Sequence, residues 1–181
     1  MSHSGGTEVA RGPRHPLLRA VAAVSTVAGW VAAAMIFASV LITCHMIVVR
    51  LMGVSTIWQT EAVVYLMIAA TLIGLPYVQR LRGHVNVDLV PLALPPGPRR
   101  ALALFVLGLS ILLTAVALWY GWEYWHFAYE RNWRSQTVWA VRLWLPYLAL
   151  PVGLALFLLQ LVADFVAVLL RIDDPFGIGK P

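Results

Sequence analysis

Charged residues are scarce in this chain, and their scarcity excludes several classes of protein. Only 12% of its 181 residues are Asp, Glu, Lys or Arg, whereas 61% are apolar. A soluble domain is typically about a quarter charged and about half apolar. The composition therefore excludes an ordinary soluble enzyme, a disordered tail and a coiled coil. The excess apolar surface has to be covered by lipid or by a large partner.

The charges are missing from four long runs of sequence. No Asp, Glu, Lys or Arg occurs in residues 20–49, 62–79, 101–122 and 143–163. A helix of about 20 apolar residues crosses the hydrocarbon layer, and these runs do not alternate between apolar and polar residues as membrane strands do. The sequence predicts an all-α integral membrane protein with four transmembrane helices, at about 20–49, 57–79, 101–130 and 138–170.

Cysteine is nearly absent as well. Cys44 is the single one, which excludes an internal disulfide and any multi-cysteine zinc or iron–sulfur site. The sequence contains no nucleophile elbow, P-loop or dinucleotide fingerprint, and its basic residues form no stripe suited to nucleic acid. We therefore expect a protein that is not an enzyme and binds no cofactor or metal ion. Its surroundings are expected to be membrane lipid rather than nucleic acid.

The basic residues are distributed unequally between the two sides of the predicted membrane. The side with both termini and the central loop would carry nine Lys and Arg residues, and the other side four: Arg50, Arg131, Arg134 and Arg142. By the positive-inside rule, both termini are cytoplasmic. Residues 1–19 and 171–181 are predicted to be cytoplasmic tails, the first of them flexible. The proline-rich stretch between helices 2 and 3 is expected to lie along the cytoplasmic interface as a short amphipathic segment, interrupted at Pro91.

Glu61, at the start of the second predicted helix, is the first candidate for a functional side chain. Trp58 precedes it by three residues and Tyr65 follows it by four, so the three side chains share one helix face. A carboxylate at that depth faces protein or water rather than lipid. Two interpretations remain open here: an ion or proton site, or a structural anchor paired with Arg50 or Arg142 on the same side of the membrane.

Two features of the fourth and first predicted helices indicate further contacts. Asp164 lies seven residues before Arg171, and we expect it to reach an arginine of the cytoplasmic loop or a partner protein. Small residues repeat every four positions at Ser25, Gly29 and Ala33. Because this spacing lets helix backbones approach closely, we expect that face to contact another protein.

Two histidines near the predicted outer side allow a different function. His45 and His126 lie on different predicted helices, an arrangement that ligates haem in small membrane anchors of respiratory complexes. His126 is four residues beyond Trp122, above the predicted hydrocarbon, which disfavours a haem site. A self-sufficient small transporter that acts as a homo-oligomer is the second alternative.

The order of features along the chain resembles that of one transporter family. Trp58-x-x-Glu61 opens the second helix, Gly74 lies near its end, and Arg82-Gly83-His84-Val85-Asn86-Val87-Asp88 follows in the central loop. With the four helices, these motifs resemble the DctQ-type small permease subunit of tripartite ATP-independent periplasmic (TRAP) transporters. The resemblance covers about residues 20–170, and the Gly-His-Val-x-Val-Asp stretch is its most specific part.

The resemblance implies an importer of the bacterial or archaeal inner membrane. In that family a periplasmic binding protein captures a carboxylate-bearing solute, and a large permease holds the solute and sodium sites. The small subunit is expected to pack against the large permease as a static scaffold and to help dock the binding protein. The positions of this chain that match the family motif would have structural or inter-subunit roles: Trp58, Glu61, Gly83, His84 and Asp88.

Overall fold

The computed structural model describes residues 16–81 and 95–172. Most of the predicted N-terminal tail, nearly all of the C-terminal tail and the predicted interfacial segment lie outside the described residues. The central-loop motif lies outside them too, with Gly83, His84 and Asp88. The predictions about these parts of the chain therefore stay predictions.

Long helices account for most of the described chain. Their bounds are α1 Pro16–Leu51, α2 Ile57–Arg80, α3 Pro96–Glu130, α4 Trp144–Tyr147 and α5 Ala149–Leu169. The short α4 leads directly into α5, and together they form the last of four helices long and apolar enough to span a membrane. The prediction of an all-α protein with four transmembrane helices is thereby confirmed.

The first and third spans exceed the thickness of one bilayer. α1 has 36 residues and α3 has 35, which correspond to about 54 and about 52 Å of helix. The hydrocarbon layer is only about 30 Å thick. Both helices therefore tilt in the membrane or extend beyond it.

The last span begins at Trp144, six residues later than the predicted 138. Residues 131–143, which we call the hairpin loop, fold back on themselves, and two backbone hydrogen bonds of 2.9 Å join their two arms. The backbone is left-handed at Asn132 and at Ala140, both with φ 47°. An α-helix does not accommodate residues with a left-handed backbone, so the last span starts only after the hairpin loop.

α5 is the central helix of the array. It packs against both α2 and α3, while α1 packs mainly against α2. Successive spans run antiparallel, so the array has two ends. We call the end with the α1–α2 turn and the hairpin loop the loop end. The end where α1 and α3 begin and where α2 and α5 finish is the terminal end.

Small residues allow close helix packing, but they do so within the chain. A Cβ atom on Gly153 of α5 would lie 2.7 Å from the backbone of Leu72 in α2. A Cβ atom on Gly29 of α1 would lie 2.5 Å from the ring of Tyr77, and Ser25 is only 2% exposed. Ser25 and Gly29 therefore pack against α5 and α2 of the same chain, whereas Ala33, the third residue of the predicted contact face, is exposed. A contact of this face with another protein stays a prediction at Ala33 alone.

The outer faces of the helices are apolar. Large hydrophobic side chains are exposed along α1 and α3, among them Trp30, Phe37, Phe105 and Leu113. Soluble monomers rarely expose apolar patches of this extent. Together with the four long apolar helices, this surface identifies a multi-pass membrane protein.

Candidate functional site

The start of α2 places Glu61 at the loop end. Gly53, with φ 76°, turns the chain after α1, and α2 begins at Ile57. Glu61 follows one turn later. The hydroxyl of Tyr65, a further turn along the same face, donates to Glu61 Oε1 at 2.7 Å. The i, i+4 spacing is what brings these two groups together.

Two hydroxyl groups of the hairpin loop complete the surroundings of this carboxylate. Thr137 Oγ1 donates to Glu61 Oε2 at 2.6 Å, and the Ser135 hydroxyl donates to Glu61 Oε1. The two loop hydroxyl oxygens are 3.0 Å apart. Because hydrogen bonds to an ionised carboxylate are stronger than neutral ones, Glu61 fastens the loop to α2. We call these four residues the loop clamp: Glu61, Tyr65, Ser135 and Thr137.

The arginine partner predicted for Glu61 is wrong. Within residues 16–81 and 95–172, neither Arg50 nor Arg142 forms an ion pair with Glu61. Arg50 is exposed in the last turn of α1, and Arg142 pairs through its backbone with Arg134. That pairing holds Arg142 at the base of the hairpin loop, and the loop hydroxyls that bond Glu61 lie nearer its tip. Three donors on two carboxylate oxygens favour the anchor interpretation over an ion site.

A pair of aromatic rings supports the same attachment. The ring centroids of Trp58 and Trp139 are 6.2 Å apart, with the planes inclined at 59°. Such tilted pairs contribute about 0.5–1.5 kcal/mol beyond the area they bury. Trp58 and Glu61, placed on one face of α2 by the sequence, therefore both contact the hairpin loop.

The base of the hairpin loop packs against the aromatic end of α3. The Trp133 ring lies 6.3 Å from that of Tyr124 and 5.3 Å from that of Phe127, both edge-on. The indole Nε1 of Trp125 donates to the carbonyl of Trp144 at 3.0 Å, which joins the two sides of the loop. α3 thus holds the base of the loop, and α2 holds the part nearer its tip.

A second polar cluster joins three helices toward the terminal end. Asp164 of α5 accepts hydrogen bonds from the side-chain amides of Gln79 at 3.0 Å and Gln160 at 2.7 Å. Gln160 Oε1 accepts one from the Ser25 hydroxyl of α1 at 2.7 Å. We call these residues the three-helix network: Ser25, Gln79, Gln160 and Asp164. Sequence reasoning singled out Asp164 but not its amide donors on α2 and α5.

Ser135 and Thr137 had no distinguishing signal in the sequence. Hydroxyl residues are common in loops, and both lie in the short gap between the predicted helices 101–130 and 138–170. One indirect indication exists, because alternate residues of an extended segment point to the same side. It becomes useful only once residues 131–143 are known to form a hairpin loop.

The structure does not bring the two candidate haem ligands together. His45 lies on α1 and His126 on α3, both are exposed, and these helices share no extensive interface. His126 Nδ1 lies 3.8 Å from Glu130 Oε1 instead. In the described part of the chain, no group of three or more His, Cys, Asp or Glu residues is arranged to hold a metal ion.

The chain matches a family model over most of its length. The model describes the DctQ component of tripartite ATP-independent periplasmic transporters, and it matches residues 39–171. This range begins within α1 and includes the loop clamp and all of the three-helix network except Ser25. A comparison with curated proteins found no match.

Proposed function

The chain belongs to the family of DctQ components of TRAP transporters, and we propose on that premise that it serves a sodium-driven importer of carboxylate-bearing solutes. It is the small membrane subunit of such a system. We assign the solute and sodium sites to a large permease partner, and solute capture to a periplasmic binding protein. The membrane is proposed to be the inner membrane of a bacterium or archaeon.

The middles of the four spans support a static role. A solute path needs polar groups near the midplane, commonly supplied by broken helices. The midplane segments of this chain are 32–37, 68–72, 109–113 and 154–158. Their only polar residues are Thr71 and Ser110, and the Thr71 hydroxyl is bonded to its own helix, at the carbonyl of Met67. We propose that these helices enlarge the part of the transporter that stays fixed in the bilayer.

The loop clamp is the observation that carries the second part of the proposal. It holds the hairpin loop against α2. At the tip of this loop, Val138 is 89% exposed and Trp139 is 41% exposed. Exposed apolar and aromatic side chains on an ordered loop are typical of protein–protein contacts. We propose that the periplasmic binding protein docks on the tip of this loop, with the clamp setting its position.

The docking role is tested in the complete transporter with the double variant S135A/T137V. This variant removes both loop donors to Glu61 and leaves the carboxylate in place. Loss of a charge-assisted hydrogen bond costs about 1.5–3 kcal/mol, so we expect the binding protein to dock about tenfold more weakly. The measurement is biolayer interferometry of the binding protein on the membrane complex in lipid nanodiscs.

Thr71→Val is the matched control. It removes an exposed hydroxyl that bonds only its own helix backbone, and we expect docking to be unchanged. Uptake into proteoliposomes is measured in parallel, where the clamp variant should recover at high concentrations of binding protein. Normal docking in the clamp variant would contradict the docking role. A changed ratio of sodium to solute would contradict the static role.

A further inference from the structure

The two arms of the hairpin loop hold two arginines side by side. Arg134 and Arg142 form an antiparallel bridge. Two backbone hydrogen bonds of 2.9 Å flank this bridge, one on each side, and join the neighbouring residues instead of the arginines themselves. In such a non-hydrogen-bonded pair, the opposite side chains lie on the same face and are closest together. The Cβ atoms of the two arginines are therefore about 4.5–5.5 Å apart.

The arginine pair lies on the side of the loop that is turned away from the helices. On the first arm, the Trp133 ring packs against rings of α3, and the Ser135 hydroxyl donates to Glu61 of α2. Successive side chains of an extended segment point to opposite sides. Arg134, between these two residues, therefore points away from α2 and α3, and Arg142 lies on the same face as its bridge partner. Both arginines are exposed.

The charge of the pair is not neutralised by the described part of the chain. Within residues 16–81 and 95–172, neither arginine forms an ion pair. Residues 131–143 contain three arginines and no Asp or Glu. Like charges directly opposite each other destabilise a pair of strands. The arrangement therefore costs the fold some stability, and such local conflicts are expected where side chains serve a function.

The surroundings of the pair indicate that its partner is a protein. The tip of the same loop exposes Val138 and Trp139, so apolar and cationic groups share one ordered surface. Arginine and aromatic residues are enriched in protein–protein interfaces. A guanidinium group binds a carboxylate through two parallel hydrogen bonds. Two adjacent guanidinium groups on the outer face of the loop thus suit an acidic surface of a protein that approaches the loop end.

We propose that Arg134 and Arg142 bind carboxylate side chains on the surface of the periplasmic binding protein. This assignment rests on the docking role proposed above and names the chemistry that the partner presents to the loop. The apolar tip supplies contact area, and the arginine pair steers the acidic surface onto it, because complementary charges mainly raise the rate of association.

The test uses the complete transporter in lipid nanodiscs, with docking of the binding protein measured by biolayer interferometry. The double variant R134Q/R142Q should dock about tenfold more weakly at low salt, mainly through slower association. Raising NaCl from about 0.05 to about 0.5 M should weaken docking far more in the wild type than in this variant, because salt screens exposed charges. R134K/R142K keeps both charges and should recover most of the affinity. Arg50→Gln removes an exposed arginine at the loop end but outside the hairpin loop, and as the matched control it should dock normally.

Hydrogen exchange separates binding from folding of the loop. Since R134Q/R142Q removes a like-charge pair, exchange at the bonded amides of Ser135 and Leu143 should be as slow as in the wild type or slower. Faster exchange at these amides would attribute the weaker docking to a disordered loop and overturn the proposal.

Comparison with the clamp variant separates this proposal from the docking role. Normal docking in R134Q/R142Q together with weak docking in S135A/T137V would overturn the arginine assignment and leave the docking role standing. Normal docking in both variants would overturn both. A loss of docking seen in nanodiscs of phosphatidylglycerol but not in those of phosphatidylcholine would assign the pair to lipid phosphate groups and overturn the carboxylate partner.

Discussion

Glu61 and Asp164, the two acidic residues within the described α2 and α5, are held in different ways. Glu61 accepts three hydroxyl groups, two of them from the hairpin loop. The hydrogen bonds to Asp164 include two from amide side chains on long helices. Because its donors include loop residues, the Glu61 carboxylate fixes the position of the hairpin loop. Because the donors to Asp164 lie on helices, its carboxylate fixes how α2 and α5 pack together.

Burial differs between the outer members of the two clusters, although Glu61 and Asp164 are both half-buried. Thr137 of the loop clamp is exposed, whereas Ser25 and Gln160 of the three-helix network are 2% and 5% exposed. Water can replace the bond from Thr137, but it has little access to the bond between Ser25 and Gln160. A buried polar group left without a partner costs more than an exposed one. We therefore expect the network to matter for stability and the clamp for local order and docking.

The comparison of Glu61 with Asp164 assumes that they lie toward opposite sides of the membrane. Reporter fusions test this topology with an all-or-none signal. Fusions after residue 181 and within 84–98 should report cytoplasm, and a fusion near Asn132 should report periplasm. The reason is the nine-to-four division of Lys and Arg between the two sides. A periplasmic C-terminus would reverse the sides assigned to Glu61 and Asp164.

Transport provides the next largest effect, because neither carboxylate is expected to lie on a solute path. Reconstituted with the binding protein but without the large permease, the chain should show no sodium-driven uptake above that of empty liposomes. Adding the large permease should restore uptake. Uptake by the isolated chain would support the homo-oligomeric transporter instead.

Removal of the Asp164 carboxylate should have the largest effect on stability. Asp164→Leu leaves the amides of Gln79 and Gln160 without this acceptor, at a cost of about 2 kcal/mol in the free energy of unfolding. Asp164→Asn keeps one acceptor oxygen and should cost about half as much. Glu130→Gln is the control, because an exposed charge contributes less than about 1 kcal/mol. Denaturation in mixed micelles gives the values, and equal stability of all three variants would refute the assigned role of the network.

The corresponding change at the loop end should have a smaller and more local effect. Glu61→Gln keeps an acceptor for the loop hydroxyls but removes the negative charge, so we expect a loss of at most about 1 kcal/mol. Amide hydrogen exchange should quicken at Ser135 and Leu143 and remain unchanged in α5. Global destabilisation equal to that of Asp164→Leu would remove the distinction between the two clusters.

We expect the protein to bind no haem between His45 and His126. Purified protein should lack a Soret band, and His45→Ala should leave the visible spectrum unchanged, since His45 and His126 lie on helices without an extensive common interface. A Soret band that disappears in His45→Ala would support the haem-binding anchor.

Most of the architecture was predictable from the sequence, and the exceptions have local causes. The four charge-free runs predicted four spans because each such run has to be covered by lipid or protein. The start of the last span was predicted too early, since Ala140 gives no sequence signal for the left-handed backbone that it adopts. For the candidate site, Trp58 and Glu61 were found by their spacing. Ser135 and Thr137 were not, because nothing local distinguishes them from other loop hydroxyls.

The sequence by itself determined that this is a four-span membrane protein, and its motifs already resembled the DctQ family. The free energy of transferring a helix into the membrane is a sum over its residues. The membrane spans can therefore be predicted from the sequence without knowing any tertiary contact. Only the tertiary structure decided that Glu61 bonds Thr137, 76 residues away, and that Ser25 faces Gln160, 135 residues away. Such contacts depend on how the helices are rotated and where a loop turns back. Those quantities are set by packing between distant segments, and no local pattern encodes them.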